Sequence, residues 1–142
     1  MERIVAGLWV GGLCVTGYLV VPSLFAALDD RQLAGRLAGN IFQLMGYLGL
    51  LAGGYLLATV ALRSGRRYLR EWRLWVLVVM LVLVAVGAFV LQPMMQELKA
   101  AGIVAGSSQA AEFGRLHGLS SVLFMATSLL GLWLLGAGIQ RR

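Results

Sequence analysis

The residues best suited to chemistry are a lone histidine and a scatter of polar groups set among long apolar runs. His117 is the single imidazole in 142 residues, and an imidazole can accept a proton or ligate a metal near neutral pH. On a helix His117 and Ser121 share a face, Ser120 sits beside it, and Glu112 and Arg115 lie about one turn above. Earlier in the chain Arg36, Asn40, Gln43 and Tyr47 follow a 4-3-4 spacing, which is one helical stripe. Gln92, next to Pro93, completes the set. Together these groups offer a proton acceptor, an acid and guanidinium groups able to hold an anion. They include no paired catalytic carboxylates, phosphate-binding glycine loop, zincin helix or nucleophile elbow. One histidine cannot supply two axial haem ligands, and zinc or copper would need Glu112 or Glu97, or a second subunit, beside it. The residues thus name no cofactor, and leave His117 as the one imidazole open to a metal.

The elements that must hold these groups are helices in lipid. The chain is 60% hydrophobic and 13% charged, whereas soluble domains are roughly 45–50% apolar and about 25% charged. Apolar runs at about 4–28, 41–62, 74–95 and 119–139 are each long enough to cross a bilayer, which takes roughly 20 helical residues. The first exceeds the ~7–15 apolar residues of a cleaved signal core, so it is read as a retained helix. The short links predict an all-α, up-down four-helix bundle in one domain spanning residues 1–142. No internal repeat stands out. Cys14, the only cysteine, excludes a disulfide framework within the chain and reads as a small buried hydrophobe.

Orientation follows from the basic residues. Arg3, the Arg63–Arg73 link and Arg141-Arg142 together carry more positive charge than Arg31, Arg36, Lys99 and Arg115 on the other side. The richer side is cytoplasmic by the positive-inside rule. Trp9, Trp72, Trp75 and Trp133 fall near that side and are expected at the headgroup level. The expected location is a bacterial inner membrane with both termini cytoplasmic. The net charge of +6 is assigned to topology and to anionic lipid at Arg63–Arg73, with Tyr68, Leu69 and Trp72 dipping inward, and not to nucleic acid.

Turn chemistry sets further expectations. Asp29 should cap the second helix with Gln32 reaching back, Gly65 should end it, and Ser108 should cap the fourth. Pro22 and Pro93 should kink the first and third helices and free carbonyls near Gly17-Tyr18 and Phe89. Glycine pairs at Gly7/Gly11, Gly35/Gly39, Gly49/Gly53 and Gly114/Gly118 should let helices approach closely or form a dimer face. Counted from the cytoplasmic boundaries, Ser23, Asn40, Gln43, Gln92, Gln96, His117, Ser120 and Ser121 share one layer at the outer helix ends.

The ordered set Gly7-Leu8-Trp9-Val10-Gly11-Gly12, Pro22-Ser23-Leu24-Phe25, Gly35-Arg36-Leu37-Ala38-Gly39-Asn40, Gln92-Pro93 and Gly114-Arg115-Leu116-His117-Gly118 resembles bacterial members of a membrane family known as domain of unknown function 4149, or transmembrane protein 205-like. The resemblance covers nearly the whole chain. It implies a compact four-helix membrane protein and no particular chemistry. The expected function is non-enzymatic binding or transport of an ion or small molecule through the outer polar layer: Arg36, Asn40, Gln43, Gln92, Glu112, Arg115, His117, Ser120 and Ser121. Transport by so few helices would call for a homo-oligomer. The alternatives are a membrane enzyme with His117 as base, assisted by Glu112 or Arg115, and a structural or regulatory partner of a larger complex.

Overall fold

Aliphatic runs with no water to satisfy their amides must form helix. The structure, a computed structural model, describes residues 1–64, 69–104 and 106–139, and these contain helices and no strand. The first helix comprises α1 (Glu2–Val15), a π-helical turn (Thr16–Val20) and α2 (Val21–Ala27). The second is one uninterrupted α3 (Arg31–Ser64). The third comprises α4 (Trp72–Val86), a second π turn (Gly87–Leu91) and α5 (Gln92–Ala100). The fourth is α6 (Ser108–Ile139). All four helices are long and apolar enough to cross a membrane.

The π turns have a visible cause. Proline lacks an amide hydrogen, and its ring crowds the carbonyl four residues back. In the turn running into Pro22 the Val21 N–H donates to Thr16 O, and in the turn running into Pro93 the Gln92 N–H donates to Gly87 O. Both bonds reach five residues back. The backbone widens before each proline. The second and fourth helices also echo each other, through Gly35-Arg36-Leu37-Ala38-Gly39 and Gly114-Arg115-Leu116-His117-Gly118.

Two caps differ by one residue from expectation. Asp30, not Asp29, caps α3, its Oδ1 accepting the Gln32 N–H at 2.8 Å and the Leu33 N–H at 3.1 Å. Ser107, not Ser108, caps α6, its Oγ accepting the Ala110 N–H at 3.1 Å. The capping oxygen must sit just outside the first helical residue to reach amides two and three positions on, and the helices begin at Arg31 and Ser108. Between α5 and α6 the chain reverses through Gly102 and Gly106, both at φ near +80° (81° and 82°), where a side chain would be strained. Gly65, Arg66, Arg67, Tyr68, Arg141 and Arg142 lie outside the described residues.

The helices close a ring: α3 packs against α1 and α4, and α6 against α4 and α1. The tightest core lies at one end, near residue 1 and the Ser64–Trp72 connection, where Trp9, Val10, Leu13, Leu56, Leu77 and Met80 are buried together. Glycines make that density attainable. A Cβ on Gly49 would stand 2.7 Å from Trp9 Nε1, and one on Gly53 would stand 3.0 Å from Trp9 Cη2. Across the ring, a Cβ on Gly131 would stand 2.7 Å from Val10 Cγ2 and 3.1 Å from Met80 Cε. Trp9 is thus not a headgroup anchor. It is only 4% exposed, because the glycine face of α3 leaves a slot for an indole. The other tryptophans collect around this end: the Trp72 and Trp133 rings lie 4.9 Å apart, and Trp75 Nε1 donates to Leu69 O at 3.0 Å. Glu2 and Arg63 form an ion pair of 3.1 Å here.

Gly49→Leu should lower stability by at least about 1–3 kcal/mol, the usual cost of overpacking. Thermal unfolding in detergent, followed by near-UV circular dichroism, checks this. Gly54→Leu is the control, because a Cβ there meets nothing within 4 Å and should leave the midpoint nearly unchanged.

Candidate functional site

Toward the opposite end, where α2 hands over to α3 and α5 to α6, the helices border a half-open cavity of about 770 Å³. Its α3 wall carries small residues at Gly35, Ala38, Gly39 and Gly46, interrupted by Phe42 and Met45. Small residues there leave volume that larger ones would fill. Arg31 and Gly46 both line it, and at 1.5 Å per residue they are roughly 22 Å apart along the axis. Both π turns contribute wall: Gly17 and Tyr18 from the first, Gly87 and Ala88 from the second. The proline-driven widening therefore borders the hollow on two sides.

The deep part is apolar and aromatic. Phe124 seats its ring directly over Gly17, leaving no room for a Cβ. It meets Tyr18 edge-on at 5.8 Å and Phe42 edge-on at 5.3 Å. Tyr18 Oη and Ser128 Oγ share a hydrogen bond of 2.9 Å. Ser128 is 1% exposed and also donates back to its own helix at Phe124 O, 3.0 Å away.

The mouth is polar and basic. Gln92, Gln96 and Lys99 follow a 4-3 spacing along α5, so they share a face, and they converge on Gly39. A Cβ on Gly39 would stand 3.1 Å from Gln96 Nε2, 3.5 Å from Lys99 Nζ and 3.8 Å from Gln92 Oε1. Lys99 Nζ donates to Gly35 O at 3.0 Å and stands 5.5 Å from the centre of the Phe113 ring. Phe113 in turn stacks on His117, with ring centres 6.0 Å apart and planes 13° from parallel.

Of the residues singled out in sequence, Arg36, Gln92, His117, Ser120 and Ser121 line this cavity. Asn40, Gln43, Glu112 and Arg115 are not part of its wall. On α3 the wall follows Gly35, Gly39 and Phe42, and one residue further along is about 100° round the helix. Asn40 is accordingly exposed, and Gln43 Nε2 donates instead to Tyr47 Oη at 3.1 Å. Glu112 and Arg115 are exposed on α6. Two hydroxyls are engaged with their own helices: Ser121 Oγ donates to His117 O at 2.9 Å, and Ser23 Oγ to Leu19 O at 2.7 Å. Arg31 and Lys99, expected only as topology charges, and Tyr18, expected only for its carbonyl, belong to the wall together with Phe113. The spacing of Gln92, Gln96 and Lys99 at the end of an otherwise aliphatic helix was the available signal. Among the described residues no three His, Cys, Asp or Glu side chains come together as a metal site.

A family model described as domain of unknown function (DUF4149) matches residues 4–104. No curated protein and no solved structure matches the chain.

Tyr18→Phe should cost about 0.5–1.5 kcal/mol, the net worth of one hydrogen bond, because Ser128 keeps its backbone acceptor. Gly17→Ala should cost more, since the Phe124 ring must leave its seat. Equilibrium unfolding of both variants in one detergent gives the order.

Proposed function

Because the chain belongs to the DUF4149 family, whose description assigns no activity, we propose from the cavity itself that the protein binds a small lipophilic molecule without transforming it. The observation that carries this is a half-open hollow of about 770 Å³ lined by all four helices, mostly apolar, with Arg31, Arg36, Gln92 and Lys99 among its lining. Pockets for small ligands typically span roughly 300–1,000 Å³ with a few polar groups to orient the occupant. Compact bundles otherwise fill such space, since each void forfeits packing contacts. The enzymatic reading has less support. His117 stacks on Phe113, and Glu112, its candidate assistant, is absent from the wall.

In this reading the four helices run up and down as one domain in a bacterial inner membrane, with both termini cytoplasmic and the cavity mouth facing outward. The excess of arginine near residues 1 and 63–73 supports that orientation. Arg63, Arg70 and Arg73 then meet anionic headgroups. Gly114 and Gly118, around which a Cβ would meet nothing within 4 Å, leave room for a second copy to pack.

Two experiments test the reading. Oleyl alcohol should raise the unfolding temperature of the amphipol-held protein in a saturable way, since a ligand of the native state stabilises it. Gly87→Leu and Ser120→Trp should abolish that rise by filling the hollow; both positions line it, and a Cβ on Gly87 meets nothing within 4 Å. A rise that survives both variants would place the ligand elsewhere. For orientation, Ser107→Cys in a Cys14→Ser background should react in intact cells with a membrane-impermeant maleimide. Labelling only after lysis would reverse the topology.

A further inference from the structure

We infer that the occupant is an anionic single-chain amphiphile, its carboxylate or phosphate held at the mouth by Lys99 with Arg31 and Arg36, and its chain lying along the α3 wall. This rests on the reading of the cavity as a binding site and adds the ligand's chemical class.

Charge is the first argument. The wall contains Arg31, Arg36 and Lys99, and no aspartate or glutamate. Three cations and no carboxylate in one lining favour an anion; Arg31 and Arg36 are exposed and Lys99 is half-buried, so the arginines attract it and Lys99 offers the drier contact. The geometry of Lys99 is the second. Its ammonium is half-buried, and the partners it holds are the neutral Gly35 carbonyl and the Phe113 ring face. Among the described residues no carboxylate lies within ion-pair distance of it. An ammonium carries three donors, so donation to Gly35 leaves hydrogens for a ligand oxygen. The tight seat of Lys99 on glycine backbone fixes where those hydrogens sit. Donors held in place in this way lose little freedom on binding.

Length is the third. From Arg31 at the mouth to Gly46 the α3 wall runs roughly 22 Å, past Gly35, Gly39 and Phe42. A compact anion would fill the mouth and leave the aromatic interior empty. A neutral hydrocarbon would fill the interior and leave the cations unanswered. A long chain with a charged head satisfies both.

The test compares molecules of one chain length and different heads: oleate, oleyl phosphate and oleyl alcohol, each titrated against the unfolding temperature of wild-type protein in amphipol. Both anions should reach half-maximal stabilisation at concentrations at least roughly tenfold below the alcohol, the effect expected of one charge-assisted hydrogen bond. The better of the two anions distinguishes a fatty-acid head from a lipid-phosphate head. Lys99→Gln should shrink the preference for anions severalfold, leaving what Arg31 and Arg36 supply, while Lys99→Arg should keep it. Equal potency of alcohol and anions on wild type would overturn the inference while leaving the cavity reading intact, and so would a preference undiminished by Lys99→Gln. No stabilisation by any of the three would overturn both. The wild-type comparison decides the matter even if Lys99→Gln fails to fold.

Discussion

Everything in this fold depends on how closely α1 can approach its neighbours at one end. Trp9 occupies a slot over Gly49 and Gly53, and Val10 presses on Gly131. Lipid offers no hydrophobic drive for helices to associate, so close packing and van der Waals contact must do that work. An indole over two glycines, with Met80 and Leu77 behind it, concentrates such contact in one place. Its cost is a buried indole N–H without a hydrogen-bond partner, a penalty of about 1–3 kcal/mol, so the dispersion gained in the slot has to exceed it.

A bundle secured at one end can spare packing at the other. There α3 presents glycine and alanine where a leucine would close the space, and the first and third helices each widen into a π turn before a proline. Such bulges often accompany functional sites in helices. The turns before the two prolines place Gly17, Tyr18, Gly87 and Ala88 in the lining of the hollow. Polar groups at the ends of the bundle are affordable because water or headgroups can reach them, whereas the same groups halfway along the helices would go unsatisfied.

Hydropathy made the helices legible, because crossing length and backbone satisfaction leave few choices. The side facing inward was harder to read. A stripe of polar residues on α3 pointed toward Asn40 and Gln43, yet glycines line the hollow and the amides face away. Glycine has no side chain to announce its role, so a cavity wall made of absent atoms resembles a helix-contact face. Lys99 was obscured differently: it counts as a topology charge until the fold shows it bent back onto Gly35. Trp9 looked like an interface anchor for the same reason, since its place in the core depends on glycines far along the chain.

The most direct test of the account is the mass of the native protein. Released from its membrane in mild detergent, without added lipid, and sprayed under native conditions, it should carry one long-chain anion per polypeptide, identifiable after the complex is dissociated. A bare polypeptide mass, with a stability equal to that of protein offered every long-chain ligand, would mean the hollow is not a binding site and the account is wrong.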